Sequence, residues 1–175
     1  MHSRLIRRGL TLIELLVVLA ILGIVAATVT VQLNGRLSNA LLTQAMSQWE
    51  FTDNQLRSHA SKLGAPLTLH TEIGTNRLQF ALDPEDDRGK TTRTLGRGIR
   101  VSRIQTATHE ITYGPATIDF SGQGASETYV VEFAGARGTR RLLVAGVTGQ
   151  VTELTNAEDV DELFAGLLPS SVHAN

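Results

Sequence analysis

The chain has 175 residues, 42% hydrophobic and 19% charged, with 16 Lys plus Arg against 17 Asp plus Glu and a net charge of −1. Those values exclude a disordered chain, which is more polar and more one-sided in charge, and a uniformly basic nucleic-acid binder. With no cysteine there is no disulfide framework, no thiolate metal site and no thiol nucleophile. Residues 1–9 carry Arg4, Arg7 and Arg8 and no acid. Residues 10–31 then read LTLIELLVVLAILGIVAATVTV, with Glu14 as the one ionisable group. About 20 apolar residues suffice to cross the hydrocarbon core of a bilayer as a helix, the form in which a lone segment satisfies its own backbone there. Arginines on the N-terminal flank hold that flank in the cytoplasm, so the rest of the chain is expected on the far side.

On the residues alone, three readings of this start stay open. A cleaved signal peptide ahead of a soluble β protein fits, with Val25-Ala26-Ala27 passing as its small-residue cleavage site. A plain membrane anchor fits as well. Neither accounts for Glu14, since a carboxylate in a membrane helix costs a few kcal/mol and marks a function with a specific partner.

Gly9-Leu10-Thr11-Leu12-Ile13-Glu14-Leu15-Leu16 closely resembles the processing site of type IV pilins and type II secretion pseudopilins. The resemblance implies that a prepilin peptidase cuts between Gly9 and Leu10 on the cytoplasmic side and methylates the new amino terminus at Leu10. It also places Thr11 and Glu14 in an assembly segment, and implies sibling pseudopilins and an inner-membrane assembly platform as partners. Where the family usually has phenylalanine after the glycine, this chain has Leu10. Cleavage would leave an ammonium at Leu10 in an apolar setting, where an unpaired charge is expensive. The Glu14 carboxylate, of the same chain or a neighbour, can pair with it; family behaviour implies the neighbour, and so a pair that sets the axial register of packed helices. Removing one partner of a buried pair typically costs about 3–5 kcal/mol. Glu14 is therefore expected to serve assembly, not catalysis.

Past residue 31 the helical pattern acquires one face. Leu33, Leu37, Leu41, Ala45 and Trp49, then Leu56, Ala60 and Leu63, form an apolar stripe, while Gln32, Asn34, Arg36, Ser38, Gln44, Gln48 and Asp53 fall mainly elsewhere. An amphipathic helix over 32–63 follows, stopped by Gly64-Ala65-Pro66, and its stripe needs a sheet to cover. Alternating segments at 67–71, 77–82, 99–104, 110–113, 117–120, 128–133, 141–147 and 150–154, joined by short glycine-bearing connections, predict an antiparallel meander over 64–154. Residues 83–94 read as a polar loop. Phe120-Ser121-Gly122-Gln123-Gly124 and Val147-Thr148-Gly149-Gln150-Val151 resemble two glycine-centred segments of H-type minor pseudopilins and their pilin relatives. In 155–175, Thr155 or Asn156 can cap an acidic helix whose apolar face is Val160, Leu163, Phe164, Leu167 and Leu168, stopped by Pro169. That face is expected to pack on its own domain. The predicted class is α+β: a long N-terminal helix, half membrane-spanning and half packed on a small antiparallel β domain, with a short C-terminal helix.

Motifs for chemistry are weak. Gly89-Lys90-Thr91 imitates the end of a phosphate-binding loop, but Pro84 stands where that motif needs glycine. Asp83, Glu85, Asp86 and Asp87 lack the glycine and terminal glutamate of a calcium loop, so a solvated loop is the expected reading. His59, His70 and His109 have no metal-ligand spacing and are read as surface residues, and no GxSxG is present. No catalytic residue, metal or cofactor is expected. Arg88, Lys90, Arg93, Arg97, Arg100 and Arg103, with Arg137, Arg140 and Arg141, could contact phosphates, which keeps a DNA-uptake minor type IV pilin as the alternative; neutralisation by neighbouring acids is the plainer expectation. The expected function is a structural minor pseudopilin of a type II secretion system, in the inner membrane with its C-terminal domain in the periplasm.

Overall fold

The computed structural model describes residues 12–82, 90–154 and Phe164, without the side chains of 27–36. The chain divides into two compact units, Met1–Leu37 and Ser38–Asn175. Helix α1, Leu12–Leu63, contributes to both. Its stop is the one the sequence predicts. Gly64 adopts a left-handed φ of 64°, and the Ala65 N–H closes back on the Ala60 carbonyl at 3.3 Å before Pro66 bars further helix.

The β part comprises β1 (Leu67–Glu72), β2 (Arg77–Phe80), β3 (Thr91–Thr94), β4 (Arg100–Thr106), β5 (Glu110–Ile111), β6 (Pro115–Phe120), β7 (Tyr129–Gly135), β8 (Gly138–Val144) and β9 (Val151–Leu154). They form two antiparallel sheets in the orders β3-β2-β1-β6 and β5-β4-β7-β8-β9. This corrects the expected meander. Short connections do not force sequential pairing, and the chain changes sheets between β3 and β4, β5 and β6, and β6 and β7. What brings β6 back to β1 is matched alternation: Leu67, Leu69 and Thr71 lie opposite Phe120, Ile118 and Ala116, so both strands turn the same face inward. A second correction falls in the expected polar loop, where Thr91–Thr94 forms the edge strand β3 on β2. Exposed threonines on an edge carry no alternation to read, so this strand has no sequence signal.

One cluster makes the core of the second unit. Helix residues Leu42, Ala45, Met46, Trp49, Leu56 and Ala60 meet Leu69, Leu78, Phe80, Ile118 and Phe120 of the first sheet and Val101, Ile104, Val131, Phe133, Leu142 and Val144 of the second. Trp49 stands edge-on to Tyr129 and Phe133, with ring centroids 6.3 and 5.6 Å away. The buried stripe differs from the expected one at its ends, where Leu37 and Leu63 are exposed. Leu37 falls on a strict four-residue repeat, which drifts about 40° per step around a helix of 3.6 residues per turn and so leaves the core within a few steps. Leu63 is the last helical residue, past the core's last helix residue Ala60. The expected C-terminal helix lies outside the described residues except for Phe164. That residue is helical and buried on Val130, with Ala107, Leu143 and Leu154 around them.

Candidate functional site

Gly9, Leu10 and Thr11 lie outside the described residues. Glu14 stands in the first turn of α1, exposed, where a carboxylate complements the positive end of the helix dipole. Every described side chain from Leu12 to Ala26 is exposed, including Leu12 at 83% and Ile24 at 68%. Apolar residues occur on all sides here, so no single stripe can be covered by one sheet. Each such side chain gains about 1.5–3 kcal/mol on full burial, which favours lipid or neighbouring helices over water. Among the described residues no helix is long and apolar enough to cross a membrane. The expected span at 10–31 begins outside them, at residues 10 and 11.

In the second unit, the helix carries a polar group that the periodicity did not reveal. Asp53, read as part of the polar face, is fully buried, and Arg57 one turn later is nearly so. Arg57 Nε donates to Asp53 Oδ2 at 2.5 Å, and Asp53 Oδ1 accepts from the Tyr129 hydroxyl at 2.7 Å. That hydroxyl in turn accepts from the Trp49 indole N–H at 3.0 Å. Arg57 Nη1 donates to the carbonyls of Gly146 and Gly124, Nη2 donates to Ser126 Oγ, and the guanidinium lies 5.2 Å over the Phe120 ring. A planar fork with five donors suits this many directions. Burial, and next the Asp53 carboxylate, hold the Tyr129 phenol well above its ordinary pKa. The sequence signal was available: in 42, 45, 46, 49, 56 and 60, positions 53 and 57 fall on the same face with opposite charges four residues apart.

This network explains the two glycine-centred segments. A Cβ on Gly124, at φ 78°, would come 2.7 Å from the Arg57 carbonyl oxygen, and one on Gly149, at φ 69°, would come 3.0 Å from Arg57 Cδ. Both turns lie against the same helical residue, and only glycine lets the backbone approach that closely.

The arginine-rich stretch does not form one basic face. Arg93 donates to Thr52 Oγ1 at 2.7 Å and stacks near Phe51 and Phe80. Glu132 on β7 sits between Arg103 on β4 and Arg141 on β8, pairing at 3.4 and 2.6 Å, while Arg140 pairs with Glu153 at 3.3 Å. Arg97 and Arg100 are exposed, and Arg88 lies outside the described residues, as do Asp83, Glu85, Asp86 and Asp87. His70 and His109 are exposed, whereas His59 is half-buried, so only two of the three are plain surface residues. Among the described residues no group of three metal-ligating side chains comes together.

Two solved structures of the minor pseudopilin EpsH of the type II secretion system of Vibrio cholerae are similar to this chain. One matches at 15% identity with a TM-score of 0.45, over 63% of this chain and 93% of that one. The other matches at 14% identity with a TM-score of 0.49, over 68% and 98%. No curated protein matches the chain significantly. Residues 4–30 match the family described as the prokaryotic N-terminal methylation motif, spanning Gly9, Leu10, Thr11 and Glu14. The chain therefore carries, ahead of its α+β domain, an N-terminal methylation motif of the prepilin type.

Proposed function

We propose that this chain is a structural minor pseudopilin of a type II secretion system, cut between Gly9 and Leu10 and joined to sibling subunits through its N-terminal helix. The observation that carries this reading is the methylation motif over residues 4–30, with Glu14 in the first turn of the helix that follows it. Supporting it, the described part of that helix exposes apolar side chains on all sides, as a segment meant for lipid and neighbouring helices does. The role is assembly, not catalysis. Residues 10–31 hold the chain in the inner membrane, with the sheet domain on the periplasmic side. The partners are other pseudopilins, the prepilin peptidase and the inner-membrane assembly platform, and Glu14 pairs with the Leu10 ammonium of a neighbouring copy.

Mass spectrometry of the membrane-extracted protein tests the processing step. The expected mature chain starts at Leu10, with or without one methyl group. A mature terminus at Thr28 would establish a secretory signal peptide and remove the assembly reading. A DNA-uptake pilin is the less favoured reading, because Arg93, Arg103, Arg140 and Arg141 are engaged by the protein itself.

A further inference from the structure

The second unit begins at Ser38, and two connections of the β part lie against α1 just beyond that point. The turn from Gly96 to Ile99 meets Leu41: a Cβ on Gly96 would come 3.7 Å from the Leu41 side chain. The tip of the β7–β8 hairpin meets Leu42: a Cβ on Gly135 would come 3.3 Å from that side chain and 2.9 Å from Ile99. Register joins the two connections, since Arg100 is paired with Ala134 and Gly135 with Gly138. Arg97 in the turn, Arg100 at the start of β4 and Arg137 at the hairpin tip are thereby gathered at the end of the domain where α1 enters it.

All three are exposed, and among the described residues no hydrogen bond or ion pair reaches their side chains. The acids around them are accounted for. Arg140, half-buried beside the hairpin tip, donates to Thr43 Oγ1 and pairs with Glu153. Glu110 and Glu132 are held by Arg103 and Arg141. The turn after β1 bonds Val101 and Leu95 through Thr75 and Asn76, and it brings the exposed Glu72 and Arg77, opposite in charge, to the border of this end. Residues 15–49 contain no acid; the first on the helix is Glu50, about 10 Å beyond Thr43. Three guanidinium groups are left without a counter-charge at one end of the domain.

We propose that this end of the domain docks on the anionic phospholipid headgroups of the membrane that holds residues 10–31. Chain connectivity selects that occupant. From residue 31 to Ser38 the chain reaches at most about 25 Å fully extended, so the entry end stays that close to the bilayer however the two units are arranged. A guanidinium takes a phosphate through paired N–H donors, and basic residues near an anionic surface are drawn to it within a Debye length. Lys62, about 36 Å further along α1 than Ser38, lies at the other end. The inference rests on the membrane reading of residues 10–31 and adds to it a lipid-facing end of the sheet domain.

The test places the full chain in vesicles and reads the hairpin tip. The chain has no cysteine, so Ala136→Cys takes a single fluorophore beside Arg137. A phosphatidylcholine carrying a nitroxide on its headgroup supplies the quencher. Quenching should rise when about 30% phosphatidylglycerol is added to phosphatidylcholine, and fall back as salt rises. With Arg97→Glu and Arg100→Glu together, the part that depends on phosphatidylglycerol should drop at least about fivefold. With Lys62→Glu it should not change. Quenching indifferent to phosphatidylglycerol, in a chain that floats with the vesicles, overturns the inference and leaves the membrane reading standing. Failure to float with neutral vesicles removes that reading and the inference with it. An equal loss with Lys62→Glu would mean unspecific attraction and overturns the inference too. So does a response that emerges only after Glu158, Asp159, Asp161 and Glu162 are changed to their amides, because the chain's own acids would then hold the arginines. Circular dichroism of each variant separates a lost surface from a lost fold.

Discussion

The two ends of helix α1 treat apolar side chains in opposite ways. From Leu12 to Ala26 all are exposed, Leu12, Ile13 and Ile24 most of all; from Leu42 to Ala60 one stripe is buried, with Trp49, Leu56 and Ala60 fully so. Helical geometry is the same in both, so the difference lies in how apolar residues are arranged around the axis. A helix apolar all round needs a surrounding medium or several neighbours, whereas a one-sided stripe needs only a sheet. The second stretch is covered by its own domain, and on the proposed reading the first is left for lipid and partner subunits. Substitutions in the second should therefore show as folding defects, and those in the first as assembly defects.

Asp53→Ala should break the buried stripe most severely. It removes the carboxylate that pairs Arg57 and accepts from Tyr129, leaving a guanidinium buried without its counter-charge. The expected loss is about 3–5 kcal/mol in urea unfolding of the full chain in detergent. Glu50→Ala, on the exposed side of the same turn, should change stability by less than about 0.5 kcal/mol. Equal effects from the two would show that the network holds nothing. Phe164→Ala comes next. Phe164 is 5% exposed on Val130, beside the half-buried Ala107, Leu143 and Leu154, so its loss should cost about 1.5–3 kcal/mol and increase binding of the dye ANS. Unchanged unfolding would mean that this contact serves a partner subunit instead of the domain.

Tyr129→Phe sharpens the same comparison through pH. Removing the hydroxyl leaves the Trp49 N–H without its acceptor and Asp53 with one donor fewer, a loss of about 1–2 kcal/mol at neutral pH. In the folded chain the phenol pKa is raised, so its contribution is fully present below the unfolded value of about 10. Above that, the unfolded chain releases a proton that the folded one keeps, and stability falls as pH rises toward the folded pKa. The substitution should therefore flatten the alkaline decline as well as lower stability below it. An alkaline limb of the same slope in both proteins would remove Tyr129 as its source.

The stop of the helix, the prepilin-type segment and the core strands were legible because each has a local signature. Arg4, Gly9, Glu14 and the apolar run occur in one short stretch, Gly64 and Pro66 punctuate the helix, and Pro115–Phe120 alternates without a break. Pairing order was not legible. Nothing local distinguishes a strand that returns to β1 from one that continues a meander, because the decision is taken by matched inward faces more than forty residues apart. Asp53 was misassigned for a related reason. Charge argues for solvent, and only Arg57, Tyr129 and Trp49, gathered by the fold, make burial affordable. Edge strand β3 carried no apolar side chain to mark it.

The smallest effect on folding should come from Glu14→Ala, and that is its value as a test. Glu14 lies in the unit Met1–Leu37, apart from the core residues, which all belong to Ser38–Asn175. Its replacement also makes the helix more apolar, so membrane insertion should not suffer. Unfolding of the sheet domain should match the unmodified protein within about 0.5 kcal/mol. Co-purification with sibling subunits should drop sharply if the carboxylate pairs with a neighbour's amino terminus, because an ammonium left buried without a partner opposes packing at that register. Glu14→Gln separates charge from shape: it keeps the size and hydrogen bonding of the side chain and should fail almost as badly. Full co-purification of both variants would show that the first stretch assembles by apolar packing alone and that Glu14 sets no register. A drop in domain stability with either would show instead that the two stretches of α1 are energetically coupled.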